Sequence, residues 1–225
     1  GDAVVFSWWD YGYWITTMAD KRTLADNGTI NSTQIAIIAM TFLSNETNAV
    51  PILKKYNVTH VAIFISWYTQ NQTIHFYGYG EESKWFWMAK ICNGTTYRGQ
   101  KIMITENTTD SSTTYYRKVI QDGKVISTDL IADGQGIKSN TVVGSLILKA
   151  AGIESSASEY FTSQFNSKKN WVAVYSVIYP EPSALDCFVS PRKIVYNESI
   201  VEFSGRLSTK GKGISNMTVT LEYST

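Results

Sequence analysis

The chain has 225 residues, with 20 Lys+Arg against 19 Asp+Glu and a net charge of +1. Charged residues make up only 17% and apolar residues 44%, which excludes disorder, collagen, a coiled coil and a disulfide-dense miniprotein. The near-neutral balance offers no footprint for a nucleic-acid partner, and no apolar run reaches the roughly 18 residues of a membrane-spanning helix.

In chain order, Ala3 to Phe6 reads as a short buried strand. A chain that opens in a core strand is expected to be cut from a longer protein. The aromatic turn Trp8–Gly12 follows, then a short helix over residues 13–20 and a polar loop over residues 20–30. Asn31 and Ser32 are suited to cap a helix that carries Ile35, Ile38, Phe42 and Leu43. Pro51 predicts the first turn of a second helix, ending near Tyr56. Residues 59–66 are β-branched and apolar, a buried strand; residues 74–77 form another short one. Residues 81–91 are expected to be helical.

From residue 93 to 133 the chain turns β-branched, polar and turn-rich. Asp122-Gly123 marks a hairpin there. Helices are expected over residues 142–151 and 155–165, and a strand over residues 171–179. Alternating residues from 184 to 225 surround a Gly211-Lys212-Gly213 turn. The expected fold class is α+β, with a mainly helical central core, short strands, an inserted β region and a C-terminal β segment. As domains, residues 1–92 and 134–183 form the core, 93–133 the insertion and 184–225 a small β unit.

Sequons of the form N-x-S/T begin at Asn27, Asn31, Asn45, Asn57, Asn71, Asn93, Asn107, Asn197 and Asn216, nine of the 13 asparagines. With 47 Ser and Thr, chance predicts about three. The excess points to an extracytoplasmic protein. The alternative is that Asn and Thr share turns and strand edges. Cys92 and Cys187 allow a disulfide that spacing neither requires nor forbids. With only His60 and His75 beside them, no zinc pattern exists.

Trp8-Trp9-Asp10-Tyr11-Gly12 is the segment richest in chemistry. An indole offers one N–H donor; a carboxylate offers only acceptors; a hydroxyl offers one donor and two lone pairs. Two indoles and one carboxylate saturate one hydroxyl. A ligand lacking it leaves buried polar groups unpaired, at about 1–3 kcal/mol each. Gly12 would allow a sharp backbone turn. The same residues also suit a packed core cluster with Asp10 as a helix cap, or an aromatic platform for sugars.

The pentapeptide WWDYG resembles the signature of the oligosaccharyltransferase catalytic subunit, the archaeal AglB type above all. Chance occurrence in a chain of this composition is on the order of one in ten thousand or lower. In that family the motif opens the soluble C-terminal domain, after a multi-helix membrane region. The resemblance implies that Trp8, Trp9 and Asp10 hold the hydroxyl of the acceptor sequon's third residue, with Tyr11 and Gly12 shaping the motif. The family's second element, the DK motif, is matched in spacing by Glu81, Lys84, Met88 and Ile91. At about 100° per residue these fall within an arc of roughly 80° on one helix face. Glu81 stands where the family has Asp, within i,i+3 reach of Lys84. Read without the resemblance, the four are a surface Glu–Lys pair and a Met/Ile core stripe.

The resemblance implies that Lys84 and Met88 lie beside the WWD cluster. A Met88 wall would favour Thr over Ser by up to about 0.8 kcal/mol for the extra methyl. It also implies transfer of an oligosaccharide from a lipid-linked donor to an acceptor Asn, on the extracytoplasmic face of the membrane. A divalent metal, Mn or Mg, and the catalytic carboxylates would sit in the membrane part. This segment would hold neither catalytic nor metal residues and would be inactive alone. Its partners would be the acceptor sequon, the lipid-linked oligosaccharide and its own N-terminal transmembrane region. Two other readings stand beside it. One is an extracytoplasmic carbohydrate-binding or surface-layer domain. The other is a glycoside hydrolase using Asp10 and Glu81, which needs a sugar-sized cleft between carboxyls about 5–10 Å apart.

Overall fold

The computed structural model describes residues 2–28, 30–153, 158–169, 171–179, 184–190, 202–209 and 212–213. The chain divides into two compact units, Gly1–Tyr179 and Pro180–Thr225. In order, the first unit holds β1 (Val4–Phe6), a 3-10 turn (Trp9–Tyr11), α1 (Gly12–Ala19), β2 (Arg22–Thr23), α2 (Ser32–Phe42), α3 (Glu46–Lys55), β3 (His60–Phe64), β4 (Trp67–Gln70), β5 (Thr73–Phe76) and α4 (Glu81–Cys92). It continues with β6 (Thr96–Tyr97), β7 (Gln100–Thr108), β8 (Thr113–Gln121), β9 (Lys124–Asp133), β10 (Gly136–Ile137), α5 (Val142–Ala150), β11 (Phe161–Asn166) and β12 (Val172–Val177). The second unit contains an antiparallel sheet of β13 (Ala184–Ser190), β14 (Glu202–Thr209) and β15 (Lys212–Gly213).

The central sheet runs β11-β12-β3-β1-β2. Strand β1 pairs in parallel with β2 and β3, while β12 runs antiparallel to β3 and β11. The apolar strand Val4–Phe6 is buried along its length, as a strand flanked on both edges must be. Helix α2 is buried from Ile35 to Phe42. Its Phe42 meets Phe6 of β1 with ring centroids 4.6 Å apart. Burying side chains of this size stabilises by about 1.5–3 kcal/mol each. Asn31 and Asn45 cap α2 and α3 by accepting from the Gln34 and Asn48 N–H groups.

Strands β6 to β10, from Thr96 to Ile137, form an antiparallel sheet in the order β10-β9-β8-β7-β6, which extends past the expected end at residue 133. Asp122 and Gly123 take positive φ at the β8–β9 turn, as a two-residue hairpin requires.

Several expectations need correction. Strand content is 36% against 31% helix, so the core is a mixed sheet with helices packed on it rather than mainly helical. Where a helix is expected over residues 155–165, residues 161–165 belong to strand β11. Phe161 and Phe165 stand at helical spacing, yet they pair across to Val177 and Val174, with a register shift after Ser163. Pro51 lies inside α3, and Asn45 rather than Pro51 marks its start. The loop at residues 20–30 contains β2. Cys92 is a free, buried thiol; the side chain of Cys187 and the sequons at Asn197 and Asn216 lie outside what is described. No helix among the described residues is long and apolar enough to cross a membrane.

Candidate functional site

Strand β1 delivers the chain to Trp8, whose extended backbone (φ −60°, ψ 140°) precedes the 3-10 turn. A loop clamps that turn from outside. Asn27 Nδ2 donates to the Asp10 carbonyl at 2.9 Å, and Asn27 Oδ1 accepts from the Tyr13 N–H at 3.3 Å. Gly12 has ordinary helical φ of −57°, so backbone freedom is not why it is there. The reason is space: a Cβ at Gly12 would stand 2.0 Å from the Ala25 carbonyl oxygen.

Helix α4 supplies the other side. Lys84 Nζ donates to Asp10 Oδ2 at 2.5 Å and to Tyr11 Oη at 2.5 Å, across 74 and 73 residues of sequence. It also lies 4.4 Å from the centroid of the Tyr11 ring. Asp10 Oδ1 is buried and has no donor in the protein. An open cleft of about 520 Å³ sits here, lined by Trp8, Trp9 and Asp10 from the turn, and Ser83, Lys84, Trp87 and Ile91 from the helix. Gly78 and Tyr79 complete the wall. No protein acceptor takes either indole N–H of Trp8 or Trp9 among the described residues.

The two sequence motifs therefore meet, but not every member reaches the cleft. Trp8 is only 3% exposed, packed in the core while still lining the cleft. Met88 is 0% exposed, belongs to the core and does not line the cleft. The apolar wall is made instead by Ile91 and by Trp87, which is 59% exposed. Helix geometry explains the split. At about 100° per residue, Lys84, Trp87 and Ile91 lie on one side of the stripe, with Glu81, Met88 and Cys92 centred about 90° round from them. The latter three are buried.

Glu81 does not pair with Lys84, which has turned to Asp10. Its Oε2 accepts from the Phe64 N–H at 2.7 Å, and Oε1 is buried without a hydrogen-bond partner. Burial raises its carboxyl to about 8, with the Lys84 charge and the Phe64 N–H opposing. Burial also pushes the Tyr11 hydroxyl far above its usual value, helped by the Glu81 and Asp10 carboxylates. The next residue, Glu82, ties the helix start to the hairpin. Ser66 Oγ donates to its Oε1 at 2.6 Å, and the Gly80 N–H does so at 3.0 Å.

Residues that sequence reasoning passes over are Tyr79, Ser83, Trp87, Asn27 and Glu82. Trp87 carries a signal, since it stands three positions after Lys84 on the same face. Asn27 and Glu82 act through long-range contacts that no local pattern announces.

These carboxylates do not make a divalent-metal site. Asp10 is held by an ammonium, Glu81 by a backbone N–H, and Glu82 by Ser66 and Gly80. No group of three metal-ligating side chains converges among the described residues.

Residues 1–77 match the family model of the STT3/PglB/AglB core domain. The chain is 41% identical over 93 residues to a Schizosaccharomyces pombe protein, dolichyl-diphosphooligosaccharide--protein glycosyltransferase subunit stt3. It is 38% identical over 93 residues to the Saccharomyces cerevisiae subunit STT3. Each match covers 41% of this chain and 12% of the relative, so the chain matches only about an eighth of the length of these curated proteins. Among solved structures, the C-terminal domain of C. jejuni pglb aligns with 78% of this chain and 94% of its own, at 9% identity and a TM-score of 0.40.

Proposed function

We propose that this chain is the C-terminal domain of an oligosaccharyltransferase catalytic subunit, of the AglB type, and that its cleft recognises the N-x-T/S acceptor sequon. One observation carries the reading: Asp10 of the aromatic turn and Lys84 of helix α4 meet at 2.5 Å beside a cleft edged by two indoles. The AglB-type part of the reading rests on the resemblance of the Trp8–Gly12 pentapeptide.

In this reading the indole N–H groups of Trp8 and Trp9 donate to the hydroxyl of the sequon's third residue. That hydroxyl in turn donates a hydrogen bond to Asp10. Lys84 fixes one of the Asp10 oxygens, which leaves Oδ1 in need of a donor. Ile91 and Trp87 form the apolar wall against which the Thr methyl packs. Met88 and Glu81 support from the core side. The contribution to catalysis is positioning of the acceptor Asn, which needs no reacting group in the cleft itself. The metal, the lipid-linked oligosaccharide and the catalytic carboxylates belong to the rest of the enzyme, on the extracytoplasmic face. Helix α1 exposes Tyr13, Trp14 and Met18, an apolar face suited to packing on a membrane-embedded part.

In the full-length enzyme, Asp10→Ala and Trp9→Ala should abolish transfer to an N-x-T peptide. Wild-type enzyme should in turn ignore N-x-A. Full activity of Asp10→Ala would sink the assignment. The exposed rings of Tyr79 and Trp87 favour a second reading, a sugar-binding platform. That reading requires saccharide binding that depends on these rings and is indifferent to acceptor peptide.

A further inference from the structure

A second cleft of about 400 Å³ lies where α3 and the end of α2 face the sheet β6–β10. It shares no lining residue with the Trp8–Asp10 cleft. Met40, Ile52, Ile102 and Val119 give it an apolar floor, and its walls carry Tyr97, Arg98 and Arg117 but no carboxylate.

Arg117 is 4% exposed. Its Nη1 donates to Asp129 Oδ2 at 3.1 Å, while its Nε is buried with no acceptor in the protein. Asp129 Oδ2 also takes the Ser127 hydroxyl at 2.9 Å. Tyr97 Oη is likewise buried and unpartnered. Burial disfavours the Arg117 charge, and Asp129 offsets this. Two further cations crowd the Tyr97 ring: Lys55 Nζ at 5.1 Å and Arg98 Cζ at 5.6 Å from its centroid.

We propose that this cleft binds a small organic oxyanion of monosaccharide size, held by Arg117 Nε, Tyr97 Oη and Arg98. Both unpartnered side-chain groups can donate, and a carboxylate or phosphate is built entirely of acceptors. Lys55, Arg98 and Arg117 outweigh the single Asp129, so an anion balances the charge where a neutral ligand does not. The volume falls within the range of about 300–1,000 Å³ typical of small-ligand sites.

The test is titration of the protein with glucuronate, glucose 6-phosphate, inorganic phosphate and glucose, followed by calorimetry or amide NMR. Glucuronate or glucose 6-phosphate should bind saturably, and glucose at least about tenfold more weakly. Which of the two sugars binds better separates a carboxylate ligand from a phosphate ligand. Arg117 is too deeply buried to substitute safely, so Tyr97→Phe and Arg98→Gln carry the test. Each should weaken binding by about three- to tenfold, with unfolding unchanged for Arg98→Gln. Absence of binding, equal binding of glucose, binding of inorganic phosphate alone, or indifference to both variants overturns the proposal and leaves the cleft to water.

Discussion

Replacing Glu81 by Gln isolates the energetic consequence of burying a carboxyl beneath the candidate site. The side chain is fully buried, and its carboxyl is raised from the ordinary 4.5 to about 8. A carboxyl raised in the fold holds its proton more tightly folded than unfolded. The associated stability is therefore fully present below about 4.5 and is lost as pH climbs through about 8. At about 1.4 kcal/mol per pH unit, the whole window amounts to roughly 5 kcal/mol. Gln keeps an oxygen for the Phe64 N–H and never ionises, so this slope disappears in the variant. Urea unfolding of both proteins at pH 5 and pH 8 reads the difference directly, because Asp10, Tyr11 and Lys84 remain in each. The variant should gain about 3–4 kcal/mol relative to wild type over that interval. A difference in stability that stays constant within about 0.5 kcal/mol would falsify the buried, protonated state of Glu81.

Three further outcomes follow from the geometry. Gly12→Ala should destabilise by about 1–3 kcal/mol in urea unfolding, since the new Cβ collides with the Ala25 backbone; an unchanged midpoint would mean that the 20–31 loop yields freely. A double-mutant cycle on Asp10→Asn and Lys84→Met should show a coupling of about 0.5–3 kcal/mol, and additive effects would deny the contact between the two motifs. Met88→Ala should cost about 2–5 kcal/mol of stability, whereas Ile91→Ala should leave stability within about 1 kcal/mol and, if the cleft reads the acceptor as proposed, raise the acceptor KM; the reverse pattern would place Met88, not Ile91, at the cleft.

Much of the fold is legible in the sequence because local and global preferences agree. The Asn31 cap, the apolar strands at residues 4–6 and 60–64, and the Asp122-Gly123 turn each carry one clear signal. The signal fails where tertiary pairing overrides it. Phe161 and Phe165 look helical until β12 offers them a sheet edge. Strand β4 is hidden because its turn, Asn71-Gln72, adopts positive φ at a Gln, which seldom does so. In the site, Asp10 and Lys84 are 74 residues apart, so no local pattern pairs them; only the resemblance to a known motif set does. The sequons also have local structural roles. Asn31 and Asn45 are caps, Asn57 and Asn71 take positive φ, and Asn27 and Asn93 bond to backbone groups. Turn and cap chemistry thus explains much of the Asn-x-Thr enrichment without reference to compartment.

Helix α4 divides its labour between neighbouring positions. Met88, Ala89 and Cys92 are committed to holding the molecule together, while Lys84, Trp87 and Ile91 are committed to whatever enters the cleft. Selection on what the cleft holds can therefore act on one set of positions without disturbing the other. Descendants of this protein should drift at 87 and 91 as the cleft's occupant changes, yet stay frozen at 88, 89 and 92.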